Sequence, residues 1–364
     1  MKKPPMTVLV LHEAIGADAR ADDLDTLTMV EHVSAALRQL GKQVSSLQTG
    51  LDLDATLSSI RAQKPGIIFN LVESLDGDAR MSHFIPTLLR TAGLVFTGSD
   101  GDAIYLSSQK QMAKNWMRLN GIPTPASIGR GAVSQHADSR WIVKSLWEHA
   151  SFGLDDGCVV DGSEAAQGRI EDCVNRYGGE WFAEQFVDGR EFNIAVLEQD
   201  GQPVVLPIAE IGFSDFPEGK PKIVGYAAKW DEDAPEYLAT PRTFPALPGS
   251  LYEALTQVVR KCWTCFGIRG YARVDIRLDG HGNPWVLEVN ANPCLSRDAG
   301  FAAAAQRAGI GYEQIIENIV AASISTGLHS DSRPVRTSYR SDLKTVNGMG
   351  RTSHLHKDIP DVMA

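Results

Sequence analysis

The sequence predicts two kinds of fold in one chain of 364 residues, α/β in the first third and α+β in the rest. In the first hundred residues, short apolar runs alternate with amphipathic stretches of helical length, which is typical of a mainly parallel sheet covered on both faces. From Trp141 onward, turn signals such as DG and DGHGN separate the apolar runs, which is typical of antiparallel hairpins.

The elements of the first third can be assigned in chain order. We expect strands at TVLVLHE, KQVSSL, PGIIFNLVE and LVFTGS, with helices between them at LDTLTMVEHVSAALRQLG, LDATLSSIRAQ and SHFIPTLLRTAG. Ligands of such sheets bind outside the carboxyl ends of the strands. The loops HEAIGADARADD and ESLDGDAR, which follow the first and third strands, are therefore expected to face a ligand.

The rest of the chain begins with a helix, LSSQKQMAKNWMRLNG, which Gly121 closes. Shorter strands follow, with helices around EAAQGRIEDCVNRYG and residues 249–266; the strands are RWIVKSL, GCVVDG, WFAEQFVDG, REFNIAVLEQDG, QPVVLPIAEIGF, GYARVDIRLDGHG and NPWVLEVN. After about residue 328 the chain is polar and has no apolar period, which predicts a disordered tail. The expected parts are therefore 1–106, 107–190, 191–328 and the tail 329–364.

Composition and charge exclude several classes of protein. A formal net charge of -10 argues against a nucleic-acid binder, which would present a basic face. Five cysteines are too few for a disulfide framework, and the CxxC of Cys262 and Cys265 lies in a helical stretch, which favours packed thiols over a redox or zinc site. The N-terminal apolar run is too short for a signal peptide, and no run approaches the roughly 20 residues of a membrane span. We therefore expect a cytoplasmic protein that binds neither nucleic acid nor membrane.

Four polar residues interrupt two strands that are otherwise apolar. Arg273 and Asp275 are two residues apart in GYARVDIRLD, and Glu288 and Asn290 are two residues apart in WVLEVN, so each pair shares one face of its strand. The DGHGNP hairpin between these strands makes them neighbours. Three oxygen donors beside an arginine suit Mg²⁺, which takes its other ligands from phosphate and water. The alternative is a buried ion pair between Arg273 and Glu288.

Lysines supply the charge that complements a phosphate. Lys144 ends the apolar strand WIVK just before a loop with Ser151, Lys110 lies on a helix, and Lys229 lies in GYAAKW. A lysine at a strand end beside small residues can reach phosphate oxygens, although a single lysine is more often a solvated surface charge. No GxxxxGK[ST] is present, and no GxGxxG follows the first strand, which counts against P-loop NTPases and dinucleotide dehydrogenases.

These motifs, taken together, resemble the ATP-grasp superfamily, and most closely its D-alanine–D-alanine ligase branch. The resemblance covers roughly residues 5 to 322 and is strongest in SQKQMAKNWMRLNGIPTP, WIVKSLWEHASFG, FAEQFVDGREFNIAVL, GYAAKW, GIRGYARVDIRLDGHGNPWVLEVNANPCLS and AAQRAGIGYEQIIENI. It implies an ATP-grasp fold, with an N-terminal parallel α/β (pre-ATP-grasp) domain on the substrate side and with ATP held between the central and C-terminal subdomains.

The resemblance also implies a role for individual residues. ATP phosphates would be contacted by Lys110 and Lys144, and the γ-phosphate by Lys229. Adenine would be bound by Glu184, Gln185, Phe186 and Val187, and the ribose by Glu191. Mg²⁺, or Mn²⁺ as an alternative, would be bound by Asp275, Glu288 and Asn290. Arg273 would contact the acyl phosphate.

The implied reaction joins a small-molecule carboxylate to an amine. The carboxylate attacks the γ-phosphate of ATP to give an acyl phosphate and ADP, and the amine then displaces phosphate to form an amide. Such chemistry needs positioned cations and exclusion of water, so we expect the loop EHASFGLDDG and the segment 213–237 to form a lid. The family resemblance also suggests a homodimer.

The substrate half departs from the family pattern. Ala150 takes the place of the family's catalytic relay serine, which leaves Ser151, one residue on, as the catalytic candidate. The N-terminal glutamate motif has no clean counterpart, and its candidates are Glu13, Asp22, Asp23 and Asp25. The possible substrate contacts are therefore Asp22, Glu73, Arg80, Ser296, Arg297 and Asp298. These departures favour a related ligase that acts on other amino acids or small peptides. The alternatives are a strict D-alanine–D-alanine ligase and a nucleotide-binding module without catalysis.

Overall fold

The computed structural model describes residues 5–16, 21–132, 138–148, 150–216 and 219–327. The tail predicted for 329–364 lies outside the described residues. Among those that are described, no helix is long and apolar enough to cross a membrane.

The N-terminal third contains the predicted parallel sheet. Its strands have the order β2-β1-β3, and both pairings are parallel; they are β1 (Thr7–Glu13), β2 (Gln43–Thr49) and β3 (Ile67–Asn70). The helices that follow the strands are α1 (Ala21–Gln39), α2 (Leu53–Gln63) and α3 (Phe84–Thr91), with a short 3-10 helix at Ala79–Met81. Val8 and Val10 pack into one core and Leu9 and Leu11 into another, so β1 is buried on both faces as predicted.

The fourth strand predicted for this sheet, at LVFTGS, is wrong. Only one parallel bridge forms, between Phe96 and Ile68. The Oγ1 atom of Thr97 accepts the N–H of Asn70 at 3.0 Å in place of a backbone carbonyl, and Gly98 then turns the chain at φ 84°. The ladder therefore ends before a strand is established.

The central part is built on an antiparallel sheet of order β4-β7-β5-β6. Its elements are α4 (Gly101–Ser108), α5 (Lys110–Leu119), β4 (Ser127–Gly129), β5 (Arg140–Ser145), a 3-10 helix at Asp156–Cys158, β6 (Val159–Asp161), α6 (Ser163–Tyr177) and β7 (Trp181–Gln185). The helix predicted from Leu106 is in fact two helices. Gln109 is extended, and its side chain accepts the N–H of Met112 as an N-cap, so Lys110 becomes the first residue of α5.

The C-terminal part is a second antiparallel sheet, of order β11-β10-β8-β12-β13, with β9 paired to β8. Its strands are β8 (Arg190–Gln199), β9 (Gln202–Val205), β10 (Ala209–Ile211), β11 (Arg242–Thr243), β12 (Tyr271–Leu278) and β13 (Pro284–Asn290). The accompanying helices are α7 (Tyr226–Trp230), α8 (Pro235–Leu238), α9 (Gly249–Phe266), α10 (Gly300–Arg307) and α11 (Tyr312–Gly327). QPVVLPIAEIGF therefore forms two strands rather than one.

The cysteines and the domain bounds complete this comparison. All five cysteines are free, and Cys262 of α9 is buried in the core, as expected for a packed helix thiol. Each of the three sheets lies within one predicted part of the chain, except that β8 begins at Arg190, one residue before the predicted bound. The domain division itself stays a prediction.

The turn between β7 and β8 requires glycine at position 189. A Cβ atom there would lie 1.8 Å from the carbonyl oxygen of Leu278, which belongs to the backbone and cannot swing away, and φ is +155°. This close approach holds the turn against the end of β12.

We expect Gly189→Ala to lower the free energy of unfolding by about 2 kcal/mol or more, because backbone must move to admit the methyl group. Urea denaturation measures the change. Gly249→Ala is the control, since its Cβ would meet nothing within 4 Å, and it should change stability by less than about 0.5 kcal/mol. Equal stability of the two variants would contradict the close approach.

Candidate active site

One face of β12 and β13 brings together the four polar residues singled out in the sequence. Asp275 lies directly opposite Glu288, and Arg273 lies directly opposite Asn290, in the antiparallel register. A register irregularity follows Asp275. Since alternate residues of a strand share a face, the four side chains form one polar patch on a sheet whose other face packs in the core.

Within this patch the side chain of Asp275 accepts three hydrogen bonds. Arg273 donates from Nε and from one terminal nitrogen to the two carboxylate oxygens of Asp275, each at 2.8 Å, and Asn193 of β8 donates to Oδ1 at 2.9 Å. Burial raises the pKa of Asp275 even though Arg273 opposes the shift. Glu288 lies 3.9 Å from Arg273. The ion pair that the sequence left open therefore joins Arg273 mainly to Asp275.

The donor set of the patch fits a magnesium ion. It offers two carboxylates and the amide oxygen of Asn290, which also accepts the N–H of Asn292 at 2.9 Å. The described residues contain no group of three or more His, Cys, Asp or Glu that could enclose a metal by themselves. A partial set of hard oxygen ligands is what Mg²⁺ uses when phosphate and water complete its shell.

The predicted phosphate lysines occupy different settings. Lys110, buried at the start of α5, donates to the carbonyl oxygen of Glu148 at 2.6 Å, and burial lowers its pKa. The ammonium of Lys144 lies 2.6 Å from Glu184. Lys229 of α7 is exposed, and its ammonium lies 4.9 Å from the ring centroid of Trp230.

Glu184 is enclosed between two lysines, one of which sequence reasoning missed. Its carboxylate lies 2.5 Å from the ammonium of Lys114 and 2.6 Å from that of Lys144, and its side chain is 2% exposed. Burial alone would raise the pKa of Glu184, but the two ammonium groups outweigh it and lower the pKa. Lys114 also donates to Thr124 Oγ1 and to the carbonyl oxygen of Leu287. The carboxylate therefore ties α5 to the strand that carries Lys144.

The chain after Glu184 forms the turn into β8. The N–H groups of Gln185 and Phe186 donate to the carbonyl oxygens of Ala126 and Arg140, while that of Val187 donates to none of the described residues. Past Gly189, the Oε2 atom of Glu191 accepts two hydrogen bonds from Arg277, at 3.0 and 2.7 Å.

The two segments predicted as a lid are in contact with each other. Ser151, in the left-handed region at φ 63°, donates its hydroxyl to the carbonyl oxygen of Val224 at 2.8 Å. The indole N–H of Trp230 donates to the carbonyl oxygen of Ala150 at 3.0 Å. The hydroxyl of Ser151 thus links the two segments.

Glu13 and Asp25, two acidic residues of the N-terminal part, lie within electrostatic range of a third, Glu73, and we call their surroundings the acidic cleft. Burial raises the pKa of Glu73 to about 8, with further contributions from the charges of Glu13 and Asp25. The carboxylate of Glu13 accepts the hydroxyl of Thr26 at 3.1 Å and the backbone N–H of Glu73 at 3.3 Å. Glu73 also lies within electrostatic range of the positive charges of Lys229 and Arg273.

The segment after β13 reaches the same acids. Cys294 and Ser296 donate their thiol and hydroxyl to the two carboxylate oxygens of Asp25, each at 3.1 Å. Asp25 lies 271 residues from Ser296 in the chain. Sequence reasoning therefore identified Ser296 as a possible substrate contact but could not pair it with Asp25.

Of the other tentative substrate residues, two lie in ion pairs, one is contacted through its backbone, and one has a side chain outside the described residues. Arg297 pairs with Glu313 at 2.7 Å, and Arg80 with Asp78 at 2.7 Å. Asp298 offers its backbone carbonyl to Arg242. Asp22 lies in the first turn of α1, and its side chain is outside the described residues. Of the six, only Glu73 and Ser296 are placed by these contacts beside the acidic cleft.

Comparison with known proteins gives a consistent result. Residues 132–321 match the family model "D-ala D-ala ligase C-terminus". The chain is 32% identical to the uncharacterized protein y4sG of Sinorhizobium fredii over 80% of this chain and 86% of that protein. It is 30% identical to the D-alanine–D-alanine ligase of Gloeobacter violaceus over 80% of this chain and 92% of that protein. The crystal structure of a D-alanine–D-alanine ligase from Bacillus anthracis complexed with ATP has a TM-score of 0.68 at 19% identity, and covers 89% of this chain and 99% of its own.

Lys114→Met tests the buried charge cluster, because it leaves Glu184 with one ammonium partner instead of two. Breaking a buried ion pair on one side costs about 3–5 kcal/mol, so we expect the free energy of unfolding to fall by about 3 kcal/mol in urea denaturation.

The matched control is Arg130→Met, which breaks a pair with Glu171 whose side chains are 57% and 45% exposed. An exposed pair contributes less than about 1 kcal/mol. Similar losses in the two variants would show that burial of Glu184 does not govern the effect.

Proposed function

The chain belongs to the D-alanine–D-alanine ligase family of ATP-grasp ligases, and from that premise we propose that it forms an amide bond between two small substrates through an acyl phosphate made with ATP. The observation that carries this proposal is the face of β12 and β13, where Asp275, Glu288, Asn290 and Arg273 stand opposite one another. Two carboxylates and an amide beside an arginine suit a metal-bound phosphate and the charge that develops on it.

A magnesium ion, with Mn²⁺ as an alternative, would be held by Asp275, Glu288 and Asn290. When bound, it would neutralise the phosphate oxygens and help to align the γ-phosphate. The hydrogen bond from Asn193 and the pair with Arg273 orient Asp275 in advance. Oriented ligands of this kind are a common requirement of metal sites.

The rest of the nucleotide would lie between the two antiparallel sheets. Lys110 and Lys144 would contact the phosphates, with Glu184 holding Lys144 in place rather than contacting adenine itself. The N–H of Val187, which donates to none of the described residues, would supply the donor that an adenine ring nitrogen needs, beside the backbone of Gln185 and Phe186. Glu191 would accept the ribose hydroxyls.

The chemistry proceeds in two steps in which the protein supplies charge and excludes water. The substrate carboxylate attacks the γ-phosphate, and the bond to ADP breaks to leave an acyl phosphate. The amine then adds to the acyl carbon, and phosphate leaves as the amide forms and the amine loses a proton. Arg273 would stabilise the oxygen charge in both steps, with Lys229 beside the transferred phosphoryl group. The contacts of Ser151 and Trp230 would keep the lid closed meanwhile.

We propose amino acids or small peptides as the substrates. The acids Glu13, Asp25 and Glu73 can accept an ammonium group, while Arg273, which is within electrostatic range of Glu73, would meet the carboxylate. Asp25 is held by Cys294 and Ser296, in the segment that follows β13. The second candidate is strict D-alanine–D-alanine ligase activity, which is favoured because several relatives are D-alanine–D-alanine ligases by name. A cytoplasmic location and a homodimer stay predictions.

The substrate proposal is tested by incubating the protein with ATP, Mg²⁺ and pairs of amino acids, then measuring phosphate release and identifying products by mass. We expect ADP and an amide product from a pair other than D-alanine with itself. A product from D-alanine alone would support the second candidate. ATP bound without any product on the whole panel would contradict both.

Glu288→Gln tests the proposed metal site. Loss of the carboxylate charge should lower turnover by about a thousandfold and leave the thermal unfolding temperature within a few degrees of wild type. Glu31→Gln, at an exposed position of α1, is the control and should keep full activity. An active Glu288→Gln variant would exclude the metal assignment.

A further inference from the structure

A buried arginine on β12, to which sequence reasoning gave no role, lies against the proposed nucleotide site. Arg277 is only 4% exposed in its side chain. It donates from Nε and one terminal nitrogen to Glu191, from the other terminal nitrogen to the carbonyl oxygen of Val187 at 3.0 Å, and to the carbonyl oxygen of Lys222. Its charge is thus surrounded by acceptors from three separate segments.

Aromatic rings hold the same guanidinium from the sides. It lies 5.4 Å from the ring centroid of Phe186 and 5.4 Å from that of Phe213. A planar guanidinium with its hydrogen bonds made and with rings at this distance has little freedom to move. Arg277 is therefore a fixed point between the turn at Val187 and the lid segment at Lys222.

Both hydrogen bonds to Glu191 reach a single oxygen. Nε and the terminal nitrogen of Arg277 donate to Oε2, at 3.0 and 2.7 Å. The Oε1 atom accepts no hydrogen bond from any residue that the structure describes. Because Glu191 is 12% exposed, the orientation of its carboxylate decides whether Oε1 can serve a ligand.

The position of this pair along β12 matches the sugar end of the nucleotide. Arg277 and Glu191 are directly opposite in the register, and Arg277 follows Asp275 by two residues on the same face. Two residues of a strand span about 7 Å, so Arg277 lies about that far along β12 from Asp275, and its partner Glu191 lies beside the turn proposed for adenine.

We propose that Arg277 is a positioning residue that fixes Glu191 so that Oε1 accepts the ribose hydroxyls of ATP. The inference rests on the proposed function and adds to it the group that prepares the ribose contact. Because Arg277 occupies Oε2, the carboxylate is oriented before ATP arrives, and little ordering is left for the binding step.

The test compares the affinity for ATP with that for 2′,3′-dideoxy-ATP, each with Mg²⁺, by isothermal titration calorimetry on the full chain. A hydrogen bond to a carboxylate should make wild type bind ATP roughly tenfold to a hundredfold more tightly. In Arg277→Met we expect this ratio to fall to about threefold or less, with the affinity for dideoxy-ATP nearly unchanged. A merely structural role would weaken both nucleotides alike and keep the ratio.

Two further variants keep the inference falsifiable. Arg277→Lys retains the charge, and so protects folding, but it cannot donate two parallel N–H bonds; its ratio should be at least threefold below wild type. Arg190→Met is the control. It removes another arginine–glutamate pair with two hydrogen bonds, that of Arg190 with Glu210; Arg190 precedes Glu191 by one residue and therefore lies on the opposite side of the strand. This variant should keep the wild-type ratio of affinities.

Three results would overturn the inference. An unchanged ratio in Arg277→Lys and in any folded Arg277→Met would show that Arg277 does not position the ribose contact. Equal affinity of wild type for the two nucleotides would show that Glu191 does not contact the ribose hydroxyls, and it would not affect the ligase proposal. Failure of wild type to bind either nucleotide would overturn both proposals together.

Discussion

The two-residue period of β12 is the constraint on which the site depends. Arg273, Asp275 and Arg277 occupy one face at intervals of about 7 Å, and the register sets Asn290, Glu288 and Glu191 opposite them. The alternate residues, Ala272, Val274 and Ile276, are buried in the core on the other face. A one-residue slip would bury the charges and expose the apolar residues, so hydrophobic packing holds the polar row in place.

The charges of the site are buried in pairs or triads. Each carboxylate is buried together with a partner of opposite charge: Glu184 with two lysines, Asp275 with Arg273, and Glu191 with Arg277. Such pairs contribute little net stability compared with apolar residues, but the loss of one partner is costly. Their value here is geometric, because each pair fixes the direction of a carboxylate or ammonium before any ligand binds.

The sequence was sufficient where partners are close in the chain or repeat with a strand's period. The hairpin between Asp275 and Glu288 makes their contact predictable, whereas Lys114 meets Leu287 across 173 residues and carries no local signal. Asn193 could have been found, since it shares a face with Glu191 two residues earlier. The strand predicted at LVFTGS failed because apolar content does not reveal that the side chain of Thr97 ends the ladder.

The acidic cleft explains why substrate identity is harder to predict than nucleotide binding. The nucleotide half lies on neighbouring strands, but Glu13, Asp25 and Glu73 come from three different segments and meet Cys294 only in the fold. With a pKa raised to about 8, Glu73 is largely protonated at neutral pH and can donate as well as accept a hydrogen bond. An ammonium group placed beside it would favour loss of that proton. The charge of the cleft therefore depends on the substrate bound in it, and the residue types alone do not determine the substrate.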